Sequence, residues 1–251
     1  MLTTDKLKTQ KGTLFVVRDD LLEGGTKQRA GLPFLSSFQE EGFDEFVYAS
    51  PFSGYAQIAL SICANKCQTK STIFCQSDPL KGTMSHFTKI ASKYSKVVLC
   101  KSLEEAENLA FEYCLNKKSA FKIPLGFDHP LFVDFLKEDL NIQWGILRER
   151  FEIKKFWVPV GSGTLAKTFR EILPDSIKMF CVDVRVLPES DRRLAFVRQM
   201  KNVEYLTAAE MFCDPSVFLP PIPSNLFYDA KLWRFLNLMA GDKDLWWNVA
   251  A

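Results

Sequence analysis

The chain has 251 residues, 47% of them hydrophobic and 25% charged, and a formal net charge of +2. This composition excludes a disordered, collagen-like or mini-protein chain. The near balance of charge gives no global signature for nucleic acid or membrane. Two histidines, His86 and His129, leave little material for a multi-histidine metal centre.

In chain order, Leu14–Val17 reads as a short strand, and the loop at 23–29 leads into a helix. Phe46–Ala49 reads as a buried strand that ends in the turn Ser50-Pro51-Phe52-Ser53-Gly54. Apolar residues at Ile58, Leu60 and Ile62-Cys63 have helical spacing over 55–65. Residues 71–75 predict a strand, 81–94 a helix and 96–100 a strand. A helix over 103–116 is signalled by Ser102 as cap, with Glu105 three residues on. Residues 130–140 also read as helical. Phe156–Val160 is strand-like and runs into Gly161-Ser162-Gly163-Thr164, then a helix over 165–173. A buried strand at 179–184, a helix at 192–200, a proline-rich extended stretch at 215–223 and a helix at 229–240 follow. The tail Leu245-Trp246-Trp247 is apolar. Strands alternating with helices predict an α/β fold with largely parallel sheets.

Cys63, Cys67, Cys75, Cys100, Cys114, Cys181 and Cys213 are odd in number and form no CxxC pair. They read as mostly buried free thiols in a reducing compartment, and no zinc cluster is expected. The first residues lack an apolar signal core, and no apolar run reaches membrane-spanning length. A cytoplasmic protein is expected.

Three segments carry chemistry. Gly24-Gly25-Thr26-Lys27 places a lysine after a double glycine. A lysine held there and partly desolvated has a lowered pKa and becomes a Schiff-base nucleophile; a solvated turn lysine has the same sequence. Val160-Gly161-Ser162-Gly163-Thr164, between strand and helix, lets backbone N–H groups converge where the helix adds partial positive charge. It lacks both the GK[ST] ending of a nucleoside-triphosphate loop and the GxGxxG fingerprint, so it suits the phosphate of another cofactor, or a plain strand-to-helix turn. Asn225-Leu226-Phe227-Tyr228-Asp229-Ala230-Lys231 opens a helix, and Asp229 alone also suits an N-cap.

Taken in this order, the segments resemble fold-type II pyridoxal-phosphate enzymes, the tryptophan-synthase-β-like group. Within that group they are most similar to the aminocyclopropane-carboxylate deaminase and D-cysteine desulfhydrase branch. Arg18-Asp19-Asp20-Leu21 with Gly24-Gly25-Thr26-Lys27-Gln28-Arg29 matches the branch's K-R-x-D … G-G-N-K-x-R-K segment. Phe52-Ser53-Gly54-Tyr55-Ala56-Gln57 falls at its Q-S-N-x-x-R, and Tyr228-Asp229-Ala230-Lys231 matches V-Y-x-G-K. Two positions depart: Gly54 stands where an asparagine contacts the ring hydroxyl, and Thr26 replaces the asparagine before the lysine. The chain is also shorter than typical members.

The resemblance implies a two-domain architecture of open twisted sheets flanked by helices. The larger domain would combine 1–44 with 147–251, and the smaller would be the insert 45–146. The implied cofactor is pyridoxal 5'-phosphate, joined to Lys27 as a Schiff base. Gly161, Ser162, Gly163 and Thr164 would hold its phosphate, Gly54 would lie beside the ring, and Asp229 would face the pyridine nitrogen and strengthen the ring as an electron sink. Ser53 would face the substrate carboxylate or act near Cα, unless it merely caps a helix. Tyr228 would lie against cofactor or substrate, unless it is only a packed aromatic. A homodimer is implied.

With Lys27 as acid and base, breaking Cα–H gives elimination, deamination or racemisation, and breaking Cα–COO⁻ gives decarboxylation. The chain is also similar to compact members in bacteriophage thymine-hypermodification clusters, which decarboxylate an amino acid attached to thymine in DNA. The short chain, Gly54 and Asp229 fit that resemblance, and it provides the specific expectation: decarboxylation of a DNA-borne amino acid in the host cytoplasm. Arg148, Arg150, Lys154, Lys155 and Arg192, Arg193, Arg198, Lys201 would touch phosphates, unless they are solvated faces, and Trp246 and Trp247 would stack on bases, unless they are packing or dimer anchors. The alternatives are a deaminase or β-elimination lyase of a free small amino acid, and a pyridoxal-phosphate-binding protein without turnover.

Overall fold

The computed structural model describes residues 2–251. The chain begins with an antiparallel hairpin, β1 (Thr4–Thr9) and β2 (Gly12–Arg18). A helix, α1 (Gln28–Glu40), leads to β3 (Glu45–Ser50), α2 (Ala56–Lys66), β4 (Lys70–Gln76), α3 (His86–Ala91), β5 (Lys96–Cys100), α4 (Leu103–Asn116) and β6 (Ala120–Ile123). The long α5 (Pro130–Arg150) precedes β7 (Lys155–Val160), α6 (Thr164–Ile172), β8 (Lys178–Asp183), α7 (Arg192–Gln199) and β9 (Val203–Thr207). A 3-10 turn over Asp229–Leu232 then runs into α8 (Trp233–Met239), and β10 (Asp244–Asn248) closes the series.

Two compact units result. One comprises the residues up to Thr26 with Lys137–Ala251, the other Lys27–Leu136. The division differs from the expected 1–44/45–146 because α1 packs on α2 and so belongs to the second unit. The first unit holds a six-stranded sheet in the order β1-β2-β10-β7-β8-β9, parallel except for the β1–β2 hairpin. The second holds a parallel four-stranded sheet in the order β5-β4-β3-β6.

Parallel sheets covered on both faces need strands that are apolar throughout. β3 and β10 are buried at every position. On β10, successive side chains face opposite sides. Trp246 joins Val16, Trp157 and Phe180 in one core cluster, and Trp247 meets Phe169 on the other side at 4.8 Å between ring centroids. Both indoles are 0% exposed. The expectation that these two tryptophans stack on bases is therefore wrong: an apolar tail has become the third strand of the sheet. In the second unit Val47, Ala49, Phe74 and Cys100 pack under Ala106 and Ala110 of α4, and Phe34, Phe38, Phe121 and Phe132 form an aromatic cluster with His129.

Other expectations shift at their edges. The helix expected over 81–94 is only His86–Ala91, since Ser85 caps it by accepting from the Thr88 N–H. The helix at 130–140 continues to Arg150. The helix at 229–240 begins as the tighter 3-10 turn. β1, β6 and β9 were not foreseen. The helix at 103–116 is as expected, its Ser102 hydroxyl accepting from Glu105 N–H at 3.1 Å. Of the seven thiols, Cys63, Cys75, Cys100 and Cys181 are buried and Cys213 is exposed. Among the described residues no helix is long and apolar enough to cross a membrane.

Replacing Trp246 by Ala empties a large buried site, and should cost about 3–5 kcal/mol of stability. Urea unfolding of the variant checks this; a loss under about 1 kcal/mol would deny β10 its place in the core.

Candidate active site

Ligands of open α/β sheets bind outside the carboxyl ends of parallel strands, where unbonded helix N–H groups gather. In this chain helix starts differ sharply. α3, α4 and α7 are capped by the side chains of Ser85, Ser102 and Asp191. The helices that begin at sequence-selected positions have no side-chain cap: α1 at Lys27, α2 at Tyr55 just after Ser53-Gly54, and α6 at Gly163.

In the first unit, β7 ends at Val160 and the chain turns through Gly161-Ser162-Gly163 into α6. Gly163 has φ +87, a left-handed conformation that favours glycine. A Cβ on Gly161 would lie 2.9 Å from Tyr228 Oη and 3.0 Å from its Cε2. The half-buried Tyr228 ring is thus seated directly on the loop. Ser162 Oγ and Thr164 Oγ1 are 3.0 Å apart. Lys167 N–H closes the first turn on Gly163 O, leaving the helix's first donors for an anion.

Asp229 is 0% exposed. Its carboxyl accepts the Val249 N–H at 2.8 Å and the Ala250 N–H at 3.2 Å. It does not cap α8. Burial pushes this carboxyl well above the usual carboxylate range, and the negative Asp20 adds to the effect, against the pull of the Val249 and Ala250 N–H groups. Arg18 pairs with Asp20 and Asp5.

In the second unit, β3 lies between β4 and β6, at the point where strand order reverses. The half-buried Lys27 has its Nζ 5.8 Å from the centroid of the Phe127 ring, on the connection that follows β6. Phe127 is fully buried, has φ +61 and follows Gly126 at φ +77. Two consecutive left-handed residues, one of them bulky, are a strained arrangement of the kind that clusters at functional sites. Tyr48 Oη accepts the Gly126 N–H at 3.3 Å and supports the turn. Burial lowers the Lys27 pKa to about 8, against the opposing pull of Asp128. Desolvation favours the neutral amine, so the nucleophilic form is present at a lower pH than for an ordinary lysine.

The turn after β3 folds on itself. Gly54 N–H donates to Pro51 O, and Gln57 Nε2 donates to Gly54 O at 2.9 Å. A Cβ at Gly54 would meet Pro51 Cγ and Ser50 Oγ at 3.0 Å, so the asparagine of the related motif does not fit this turn as it stands. Ser53 is 2% exposed, and its Oγ and the Oε1 of Gln57 have no partner among the described residues. Ser53 does not cap α2; its hydroxyl is buried and unspent, as is expected of a group that awaits a ligand. Cys75 Sγ, Thr88 Oγ1 and Ser85 Oγ form a buried polar chain on the same unit.

The structure thus places Gly161, Ser162, Gly163, Thr164, Tyr228 and Asp229 on the first unit. It places Lys27, Ser53 and Gly54 on the second. Sequence reasoning missed Phe127, Gly126 and Tyr48, whose role rests on backbone conformation. It also left out Gln57, which lay within a quoted motif. The expected phosphate-binding basic clusters are largely paired with carboxylates: Lys154 with Glu152, Lys155 with Asp244, Arg193 with Asp191, Arg198 with Glu189 and Lys201 with Asp175.

No protein-family model and no curated protein matches the sequence. Solved structures do match the fold. An ACC deaminase homologue superposes with a TM-score of 0.75 at 16% identity, covering 95% of this chain and 84% of the other. O-ureido-L-serine synthase gives 0.76 at 15% identity, covering 100% and 89%. A pyridoxal 5'-phosphate-dependent aspartate racemase gives 0.66 at 13% identity, covering 99% and 89%. The chain has the fold of these proteins, the fold-type II architecture that its motifs resemble.

Gly161→Ala should push Tyr228 off the loop, at about 1–3 kcal/mol. Thermal unfolding of Gly161→Ala, Tyr228→Ala and the double variant checks this. The double variant should lose less than the two single losses added together, and simple additivity would mean that the two residues do not touch.

Proposed function

We propose that the protein is a pyridoxal-phosphate enzyme acting at Cα of a free amino acid, by deamination or β-elimination. The observation that carries the reading is that three of the four helices without a side-chain cap, α1, α2, α6 and α8, start at the lysine, the Ser-Gly turn and the glycine-rich loop. The fold neighbours support it, since their names include a deaminase homologue, an amino-acid synthase and a racemase dependent on this cofactor.

The residues fit that group. The Gly161 seat beneath Tyr228 has no room for a Cβ. The Ser53 hydroxyl is buried without a partner. Burial lowers the Lys27 pKa to about 8, so its nucleophilic form is present at a lower pH than that of an ordinary lysine. Gly161, Ser162, Gly163 and Thr164 would hold the phosphate through the first N–H groups of α6 and the two hydroxyls. Bound pyridoxal phosphate supplies an electron sink for the bonds at Cα. Lys27 would attach the cofactor and, once released, carry a proton at Nζ to and from Cα. Ser53 Oγ would donate to the substrate carboxylate and orient it. Asp229, its carboxyl fixed by Val249 and Ala250, would hold a proton at an oxygen set by those two N–H groups.

Decarboxylation of an amino acid carried on DNA, which the short chain, Gly54 and Asp229 suggested, gains no support from the surface features expected to bind DNA. Trp246 and Trp247 are core residues, and most of the clustered basic side chains already have carboxylate partners. The aromatic stacking surface that single-stranded DNA requires therefore does not come from Trp246 and Trp247.

Incubating the protein and pyridoxal phosphate with a panel of free amino acids should release ammonia and a 2-oxo acid from at least one. Release of carbon dioxide from amino-acid-decorated DNA, with every free amino acid inert, would overturn the reading in favour of the DNA-borne substrate. Cofactor binding with no product from any of these would leave a carrier without turnover.

A further inference from the structure

Thr26, the residue before Lys27, is 2% exposed, and its hydroxyl is fully committed. It donates to Asp19 Oδ2 at 2.8 Å and accepts from Trp247 Nε1 at 2.9 Å. The same indole N–H reaches Asp19 Oδ2 at 3.0 Å. Asp19 is 1% exposed and Trp247 0%. The loop between Asp19 and Thr26 is wound back on its first residue: Leu22 N–H donates to Asp19 O, and Gly25 N–H, from a residue at φ +61, donates to Leu22 O. The Thr26 N–H donates to Val249 O at 3.0 Å, and the Val249 N–H donates to Asp229 Oδ1 at 2.8 Å. Every one of these groups belongs to the first unit.

This is an expensive way to fill space. A buried carboxylate, hydroxyl and indole N–H cost stability unless all are satisfied, and apolar residues of the same volume fill such a site at no such cost. What a fully satisfied polar network provides is a single geometry. A lysine side chain is a flexible four-carbon stem, so its amine is only as well placed as the Cα from which it departs, and a misplacement of about 1 Å at a reacting centre costs about 100-fold in rate. We infer that Asp19 and Trp247 are positioning residues, which act through Thr26 to fix the main chain that presents Lys27. The inference rests on the role proposed for Lys27. Within the first unit, Val249 also joins Thr26 to Asp229.

The test uses Thr26→Val, which keeps the shape and removes the hydroxyl, and Thr26→Ser, which restores it. Asp128 attracts the Lys27 cation, and the Phe127 ring lies 5.8 Å from the amine. Labelling of the apoprotein with acetic anhydride as a function of pH, read at the Lys27 peptide by mass spectrometry, follows this amine without cofactor. Peptide-level reading is needed because burial also lowers buried Lys231 to about 8. In the parent protein the midpoint should lie near 8. In Thr26→Val it should move up towards the ordinary lysine range, and pyridoxal phosphate should attach to Lys27 about tenfold more weakly, the loss expected of one buried hydrogen bond. Thr26→Ser should restore both, and the Lys231 midpoint should not move in either variant. A Thr26→Val variant with a lower melting temperature but an unchanged Lys27 midpoint and unchanged attachment would overturn the inference. If instead the labelling midpoint moves as expected but pyridoxal phosphate never attaches to the parent's Lys27, positioning stands and the proposed function falls.

Discussion

Every helix begins with N–H groups that have no acceptor inside the helix. Protein sequences usually answer this with a serine, threonine or aspartate at the cap. In this chain α3, α4 and α7 do so, whereas α8 and the three helices that begin at the candidate site, α1, α2 and α6, do not. At those three starts stand a half-buried lysine, a turn with an unspent serine hydroxyl, and two glycines around Ser162. Helix starts at the carboxyl ends of parallel strands, such as that of α6 after β7, are where α/β sheets receive anionic ligands. The withheld caps organise the rest of the functional reading.

The burial around these starts tunes chemistry on each unit separately. On the second unit, desolvation over the Phe127 ring favours the neutral Lys27 amine. A strained pair of left-handed residues, Gly126 and Phe127, holds that ring in place. On the first unit, burial raises the Asp229 carboxyl while Val249 and Ala250 orient it. One group is easier to deprotonate and the other harder, which is the separation acid–base chemistry needs. The Asp19–Thr26–Trp247 network adds fixed geometry to this separation.

Much of the fold was legible because its signals are local. Ser102 with Glu105 marked α4, continuous apolar runs marked β3, β4, β7 and β8, and the Gly-Ser-Gly turn marked the start of α6. What escaped has a physical reason. β1 buries only Leu7, and β9 buries none of its residues, so their sequences read as polar or mixed. β6 has only four residues. The tail Leu245–Trp247 is apolar but too short to show whether it lies on the surface or in a sheet; pairing with both β2 and β7 decided that. At the site, Lys27, Ser53 and the phosphate-loop residues were found from residue type and order. Phe127, Tyr48 and the clamp on Thr26 depend on backbone conformation and on partners over 200 residues away in sequence, as Trp247 is from Asp19. No local pattern carries that information.

We propose that Lys27 is the lysine to which pyridoxal phosphate attaches. Loading the protein with the cofactor, reducing it with borohydride, digesting it and sequencing the labelled peptide tests this directly. The account predicts a single label, on Lys27, and loss of the visible absorbance on reduction. A label on Lys231 or any other lysine, or no label at all, would contradict it.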